Sequence, residues 1–343
     1  MSRVFVSGIG AVSPAGWSVE SLRSILHSGQ PVPPIEIPRP GWETTLAARV
    51  VPTPPARPDF LSHPRLRRSC PLTHYVVAAA LEALGGRNTP ELRPPGPLGL
   101  VVCLLAGNVT YTRRFYEEVM ANPATASPML FPETVFNAPA SHLATFLGAD
   151  HPGYTLVGDD GAFLQGLALA AHWLGDGGVG SCLVIGAEES DWVIADAVRL
   201  FQRSAVHGAG AGALLLTREP GRAPLAELAA VTDSFSYAAG RSRRQAALNM
   251  RAQLPTGGAE EILCWGFENL PATDAPETEA WPDWPGDRRS PKLLLGRAFN
   301  ASAAWQCVMA CDAVALGQCH AANVSVVGTS QQAIGARFQN PNS

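Results

Sequence analysis

The turn Val157-Gly158-Asp159-Asp160-Gly161-Ala162 joins an apolar pentapeptide, "YTLVG" (154–158), to an almost wholly apolar stretch that runs to Leu174. The spacing predicts a strand, a sharp turn and a buried helix, because an element apolar on every side has no face for solvent. The start of a buried helix points unpaired backbone N–H groups inward and is partly positive, so it favours an anion or a developing oxyanion. Such a turn is a place for a nucleophile, yet it holds no Cys or Ser. Asp is a preferred capping residue, so Asp159-Asp160-Gly161 reads first as capping and turn chemistry. A second reading makes a carboxylate the base or nucleophile, although a carboxylate beside a helix N-terminus is held ionised and attacks weakly. A third is a site that has lost its nucleophile.

Other reactive side chains are few. The seven cysteines, Cys70, Cys103, Cys182, Cys264, Cys307, Cys311 and Cys319, form no C-x-x-C and stand mostly in apolar runs, where free Cys behaves as a small hydrophobe. Their odd number fits a reducing cytoplasm. Cys307 and Cys311 are spaced like half of a metal site, but no His or acidic pair completes it, and two core thiols is the simpler reading. His207 precedes a Gly-rich run with no nucleophile beside it, and Lys292 is the single lysine among 25 basic residues.

The elements that must hold these groups alternate. Strands are predicted at 3–10, 98–107, 154–158, 181–189, 210–219, 224–237, 260–267 and 323–330. Helices are predicted near 18–27, 72–84, 110–121, 138–147, 161–174, 241–252 and 301–317. Short continuous apolar runs read as strands covered on both faces, and the alternation implies βαβ units in a layered α/β fold. The Pro-rich stretches 30–66 and 269–291 read as loop. Residues 4–16 and 324–336 echo each other weakly, each an apolar strand running into a Gly turn. With 343 residues, 46% hydrophobic and 16% charged, the chain buries a sizeable core. A net charge of −4 implies neither nucleic-acid nor membrane-surface binding, and no apolar run reaches the roughly 18 residues of a membrane span. The N-terminal "VFVSGIGAVS" reads as a first strand and turn, not a signal peptide.

In this setting the chain resembles the β-ketoacyl synthases of the thiolase-like fold. "VFVSGIGAVSPAGWSVESLRSILHSGQ" is similar to the family's opening strand and helix, and "FPETVFNAPASHLATFLGADHPGYTLVGDDGA" to its "N-x-x-A-G-H…T-A-C-A-S-G" segment. "GAGAGALLLTRE" resembles the end of the first half, "PLAELAAVTDSFSY" the start of the second, and "SPKLLLGRAFNASAA" the family's "K-x-x-x-G-H-x-x-x-A-A-G". The ordered matches run from residue 3 to about 335. The resemblance implies a five-layer αβαβα unit of two pseudo-duplicated halves, 1–219 and 220–343.

The family uses a Cys at a buried helix N-terminus, two His and a Lys. Carried across, the Cys position falls on Asp160, or on Asp159 if the register slips by one. The first His falls near Gly266, in an alignment anchored on Asp274, Glu277 and Glu279. The second His falls on Arg297, and Lys292 matches the Lys. His142 matches a non-catalytic family His. The C-terminal "G-F-G-G" loop is reduced to Gly328-Thr329-Ser330-Gln331. Loss of a whole cooperating set is hard to reconcile with condensation.

The resemblance is strongest to a chain length factor, the non-catalytic partner of a ketosynthase in type II polyketide synthases. That implies a heterodimer with a Cys-containing ketosynthase, an acyl chain delivered on the phosphopantetheine of an acyl carrier protein, and no bound cofactor or metal. Thr112, Phe115, Tyr116 and Val119 share one helical face, read either as core or, with Met129 and Phe131, as tunnel wall and interface. The arginines at 65–68 and 241–244 read as solvated faces or as docking sites for an acidic carrier. Two other readings stay open: an altered decarboxylase or hydrolase using Asp160 with Arg297, and a homodimeric acyl-binding protein.

Overall fold

A computed structural model describes residues 3–85, 96–220, 223–237 and 242–343. Its strands are β1 (Phe5–Val12), β2 (Ile35–Ile37), β3 (Leu46–Arg49), β4 (Leu98–Leu104), β5 (Gly153–Val157), β6 (Ser181–Glu188), β7 (His207–Gly208), β8 (Gly210–Thr217), β9 (Ala226–Val231), β10 (Phe235–Ser236), β11 (Ile262–Cys264), β12 (Asp287–Arg289), β13 (Ala321–Val327) and β14 (Gln332–Gln339). The helices are α1 (Val19–Ser28), α2 (Pro71–Ala83), α3 (Val109–Ala121), α4 (Ala138–Leu147), α5 (Ala162–Gly175), α6 (Trp192–Phe201), α7 (Arg243–Ala252), α8 (Pro271–Ala280), α9 (Pro291–Leu295) and α10 (Phe299–Ala315).

The main sheet runs β12-β11-β13-β14-β9-β1-β8-β6-β4-β5. Its two arms have one plan. In the first, β4 lies parallel to β5 and β6, and β8 runs antiparallel between β6 and β1. In the second, β11 lies parallel to β12 and β13, and β14 runs antiparallel between β13 and β9. The arms join through a short antiparallel contact, Phe5 opposite Glu227 and Val6 opposite Ala226. By this plan β1 corresponds to β9, so the echo between 4–16 and 324–336, which falls on β13 and β14, is not the duplication.

Two helices occupy the middle of the molecule: α10 is buried, whereas α5 buries one face and exposes Gln165, Ala168 and His172, which corrects the expectation of a helix with no face for solvent. α10 packs on strands of both arms and against α5, and all but two of its residues, Asp312 and Ala315, are buried. Its buried polar groups bond backbone: Gln306 Nε2 donates to Ser325 O at 2.9 Å, Asn300 Nδ2 to Gly158 O at 2.9 Å, and Trp305 Nε1 to Val12 O and Ala211 O at 3.1 and 3.0 Å. The close packing of α10 shows at Gly186 of β6, where a Cβ would stand 2.3 Å from Asn300 O. The outer faces carry α2 and α4 on the first arm and α7 and α8 on the second. This is the αβαβα layering that the resemblance implied. No helix among the described residues is long and apolar enough to cross a membrane.

Three further expectations are corrected. The 269–291 stretch contains α8, despite Pro276 inside it, because Asp274 and Glu277 turn inward to bond the backbone of residues 266–270. Strand β14 follows the turn at 328–331 and holds the middle of the second arm, although its Gly335 and Arg337 break the apolar run; Arg337 is satisfied by Glu261 and Asn323. Helix α3 has no buried residue, so the face of Thr112, Phe115, Tyr116 and Val119 is not core.

Trp305 fills the centre and satisfies two strand carbonyls. Trp305→Ala is expected to lower unfolding free energy by about 3–5 kcal/mol, measured by chemical denaturation.

Candidate functional site

The β5–α5 turn folds so that its two aspartates part. The helix begins at Ala162, with Gly161 as N-cap and no side-chain capping bond there. Asp159 and Asp160 are both wholly buried, which corrects the simple capping reading. Asp159 O accepts the Ala162 N–H at 2.9 Å, and Asp159 Oδ1 accepts the Gly161 N–H at 3.2 Å. The rest of the Asp159 carboxylate is spent on the 328–332 segment. Burial and the neighbouring Asp160 push the Asp159 pKa up against three backbone N–H groups that pull it down.

Asp160 faces the other way and meets Lys292, at the start of α9, in a direct hydrogen-bonded ion pair. Thr329 Oγ1 donates to its second oxygen at 3.1 Å. Lys292 Nζ also lies 3.9 Å from Glu268 Oε1. Arg297, on the turn between α9 and α10, directs its Nε to both Glu268 oxygens at 3.1 Å. Burial opposes ionisation of Asp160, but the Lys292 ammonium and the Arg297 guanidinium overcome it and hold its pKa below the ordinary carboxylate value. Lys292 is likewise opposed by burial and raised by Asp160 and Glu268. Two carboxylates and two cations thus neutralise one another in a dry setting.

Gly266 stands beside this group. Its N–H donates to Glu277 Oε2 at 2.9 Å, and a Cβ there would approach that oxygen to 3.1 Å and Lys292 Nζ to 3.4 Å. Asp160, Gly266, Lys292 and Arg297, widely separated in sequence, therefore converge. Of the two possible registers, Asp160 is the residue that faces the lysine.

Glu268 and Glu188 are the members that sequence reasoning missed. Glu268 lies two residues past Gly266, outside the acidic run used to anchor that alignment, and only its contacts reveal it. Glu188 ends β6, and burial pushes it up to about 8 although the N–H groups of Leu105 and Ala106, at 2.5 and 3.1 Å, bond it. His207 adjoins the Arg297 backbone; burial drives it down to about 4, and Nε2 bonds Glu189 O at 3.1 Å. His142 is remote and bonds Glu133 at 2.8 Å. All seven cysteines are buried, and burial raises the thiols, Cys70 and Cys182 to about 12. No group of three His, Cys, Asp or Glu suited to a metal occurs among the described residues. A cleft of about 710 Å³ between α1, β12 and α10 is lined by none of the converging charges.

The predicted tunnel and interface residues lie elsewhere, on α3 and the segment after it. Tyr116, Met129 and Phe131 are 63%, 71% and 57% exposed, while Phe115 and Phe131 pack with ring centres 5.6 Å apart. Thr112 is exposed and Val119 half-buried. Met120, Val135 and Phe136 extend the apolar surface, as do Tyr154 and Val157 on β5, an outermost strand of the sheet. Arg65, Arg67 and Arg68 are exposed with no acidic partner among the described residues. Arg243 is instead tied to Val327 O and Gly328 O, and Arg244 pairs with Glu279; Arg241 lies outside the described residues.

A scan against family models finds no match, and no curated protein matches. Solved structures do. The ishigamide ketosynthase/chain length factor superposes with a TM-score of 0.80 at 20% identity, over 98% of this chain and 99% of that one. The chain has the ketosynthase/chain length factor fold. A β-ketoacyl synthase from Burkholderia phymatum STM815 gives 0.81 at 15% identity over 99% of both chains. A type II PKS acyl-carrier protein complex with its ketosynthase bound to the hexaketide gives 0.78 at 16% identity, over 98% and 99%.

Two predictions follow from the charges. Lys292→Met leaves buried carboxylates uncompensated and is expected to cost about 3–5 kcal/mol, with Asp160→Asn in the same chain recovering much of it; denaturation of the single and double variants measures both. Glu188, Glu189 and Glu277 are held protonated to about 8, 7 and 7 by burial, against 4.5 unfolded. Between those values the unfolded chain has released protons that the folded chain keeps, so stability falls as pH rises from about 5 to 8. Asp160, with a lowered folded value, stays ionised in both states across that window. Glu188→Gln is expected to flatten the profile, read as melting temperature against pH.

Proposed function

We propose that this chain is a catalytically silent ketosynthase-like subunit that pairs with an active, Cys-containing ketosynthase and shapes the acyl tunnel while the chain grows on an acyl carrier protein. The observation that carries the reading is the Asp160–Lys292 pair. The helix N-terminus that suits an acyl nucleophile holds a carboxylate already neutralised by the lysine beside it. A carboxylate held ionised and bonded to ammonium and hydroxyl groups is a weak base and a weak nucleophile. No imidazole reaches it among the hydrogen bonds of the described residues, and Arg297 hydrogen-bonds Glu268 rather than Asp160, which weighs against the decarboxylase or hydrolase reading.

The surface supports a partner. β5 ends the sheet, and an unpaired strand edge flanked by exposed apolar side chains is a pairing template. Tyr154 and Val157 on that edge, and Tyr116, Met129 and Phe131 on α3 and the segment after it, are apolar side chains that one chain leaves uncovered. Bulky residues here, Phe115 and Tyr116 above all, would bound a tunnel that continues from the partner. The neighbours are described as a ketosynthase/chain length factor and as a ketosynthase held with its acyl-carrier protein, which agrees with such a complex. The unpaired Arg65, Arg67 and Arg68 suit an acidic carrier, whose phosphopantetheine delivers the acyl chain. The subunit itself needs no cofactor.

Co-expression with a Cys-containing ketosynthase is expected to give a stable heterodimer by size-exclusion chromatography and mass spectrometry. Tyr154→Arg with Met129→Arg should weaken association at least about tenfold. Acylation of the isolated chain by an acyl carrier protein, or homodimers alone in the presence of the ketosynthase, would overturn the reading.

A further inference from the structure

The segment 328–332 crosses directly over the turn that carries Asp160, and Asp159 binds it there. Asp159 Oδ2 accepts the N–H of Gln331 at 2.7 Å and of Ser330 at 3.2 Å, while Gln332 Nε2 approaches Asp159 Oδ1 at 3.4 Å. The bonding is returned, because the Asp159 N–H donates to Gln331 Oε1 at 3.1 Å. The fit leaves no slack. A Cβ on Gly328 would stand 2.2 Å from Asp159 Oδ2, and one on Gly161 would stand 2.6 Å from Gln332 Cγ. The outer side is fixed as well, with the Tyr237 hydroxyl and Arg243 Nη2 both donating to Gly328 O. Thr329, in the middle of the strap, bonds Asp160 itself.

We propose that Asp159 is a latch that keeps the 328–332 strap shut over the Asp160–Lys292 pair, so that no acyl arm enters this chain's own site. The inference rests on the silent-subunit reading and adds how the site is closed. Neighbouring aspartates divide the work: Asp160 neutralises the lysine, and Asp159 replaces the water that the strap's backbone N–H groups would otherwise need. A plain loop over a buried charge pair would open by losing a few surface contacts. This one must free a wholly buried carboxylate and two N–H groups together.

Amide exchange on the full-length chain tests it. Asp159→Ala is expected to speed exchange at Ser330 and Gln331 at least tenfold. Asp159→Asn, which keeps one acceptor oxygen, should speed it less. Gln331→Ala removes only the return bond from an exposed residue and should raise exchange several-fold even if Asp159→Ala does not fold. A second readout uses Asp160→Cys as a reporter thiol located by mass spectrometry. Iodoacetamide should modify it at least tenfold faster with Asp159→Ala or Gln331→Ala than with the strap residues intact. Exchange and alkylation unchanged in these variants overturn the latch. Association with a ketosynthase is read separately: a heterodimer whose strap exchanges freely sinks the latch alone, and a closed strap in a chain that never pairs sinks the partner reading alone.

Discussion

An ammonium and a carboxylate placed in contact away from water must both be present or both be absent. Removing either leaves a charge that the protein interior cannot solvate. The Asp160–Lys292 pair imposes this condition where the two arms meet. Lys292 begins α9, Arg297 follows it, and α10 starts two residues later, so the charges fix the entry angle of the helix that both arms pack against. Glu268 then ties Lys292 and Arg297 together from the β11–α8 connection. The condition reaches the C-terminus through Thr329, which orders the turn between β13 and β14.

Such a pair is poor value as a source of stability alone, since well-packed apolar residues of similar size are often at least as stabilising. What it does supply is definition. Four alternating charges have one low-energy arrangement, and the β5–α5 turn, the β11–α8 connection, α9 and the turn after it each contribute a member to it. That arrangement also fixes the electrostatics of the site. Lys292 is paired with Asp160 and Arg297 with Glu268, so each buried charge has an opposite charge beside it. The same contacts that order the chain thus compensate its buried charges.

Much of this was legible in the residues, and the failures have physical causes. Strands β4, β6 and β8 of the first arm are continuous runs because both faces are covered, and runs of that kind declare themselves. β14 hides because its Gly335 and Arg337 are accommodated by long-range partners, Met250 and Leu254 against the glycine and Glu261 against the arginine. α8 hides because its inward carboxylates resemble loop composition until their backbone partners are seen. α3 misleads in the other direction. Its 3–4 spacing of aromatic and aliphatic groups is a true helical signal, but periodicity states only that a face is apolar, not whether this chain or another covers it. At the site, Asp160, Gly266, Lys292 and Arg297 were found by ordered resemblance, while Glu268 was not, since a single acidic residue carries no local pattern.

The exposed face and the closed site bear on each other. The interior around Asp160 is held by a charge pair that is compensated within the chain. The exterior has the opposite character: edge strand β5 exposes Tyr154 and Val157, and Tyr116, Met129 and Phe131 are exposed on α3 and the segment after it, apolar surface that is costly to leave in water. Edge strands are commonly kept very short, charged or covered. The edge instead stays apolar on the arm whose β5–α5 turn ends at Asp160. β5 leads directly into that turn, so the exposed edge and the Asp160–Lys292 pair are joined by one strand.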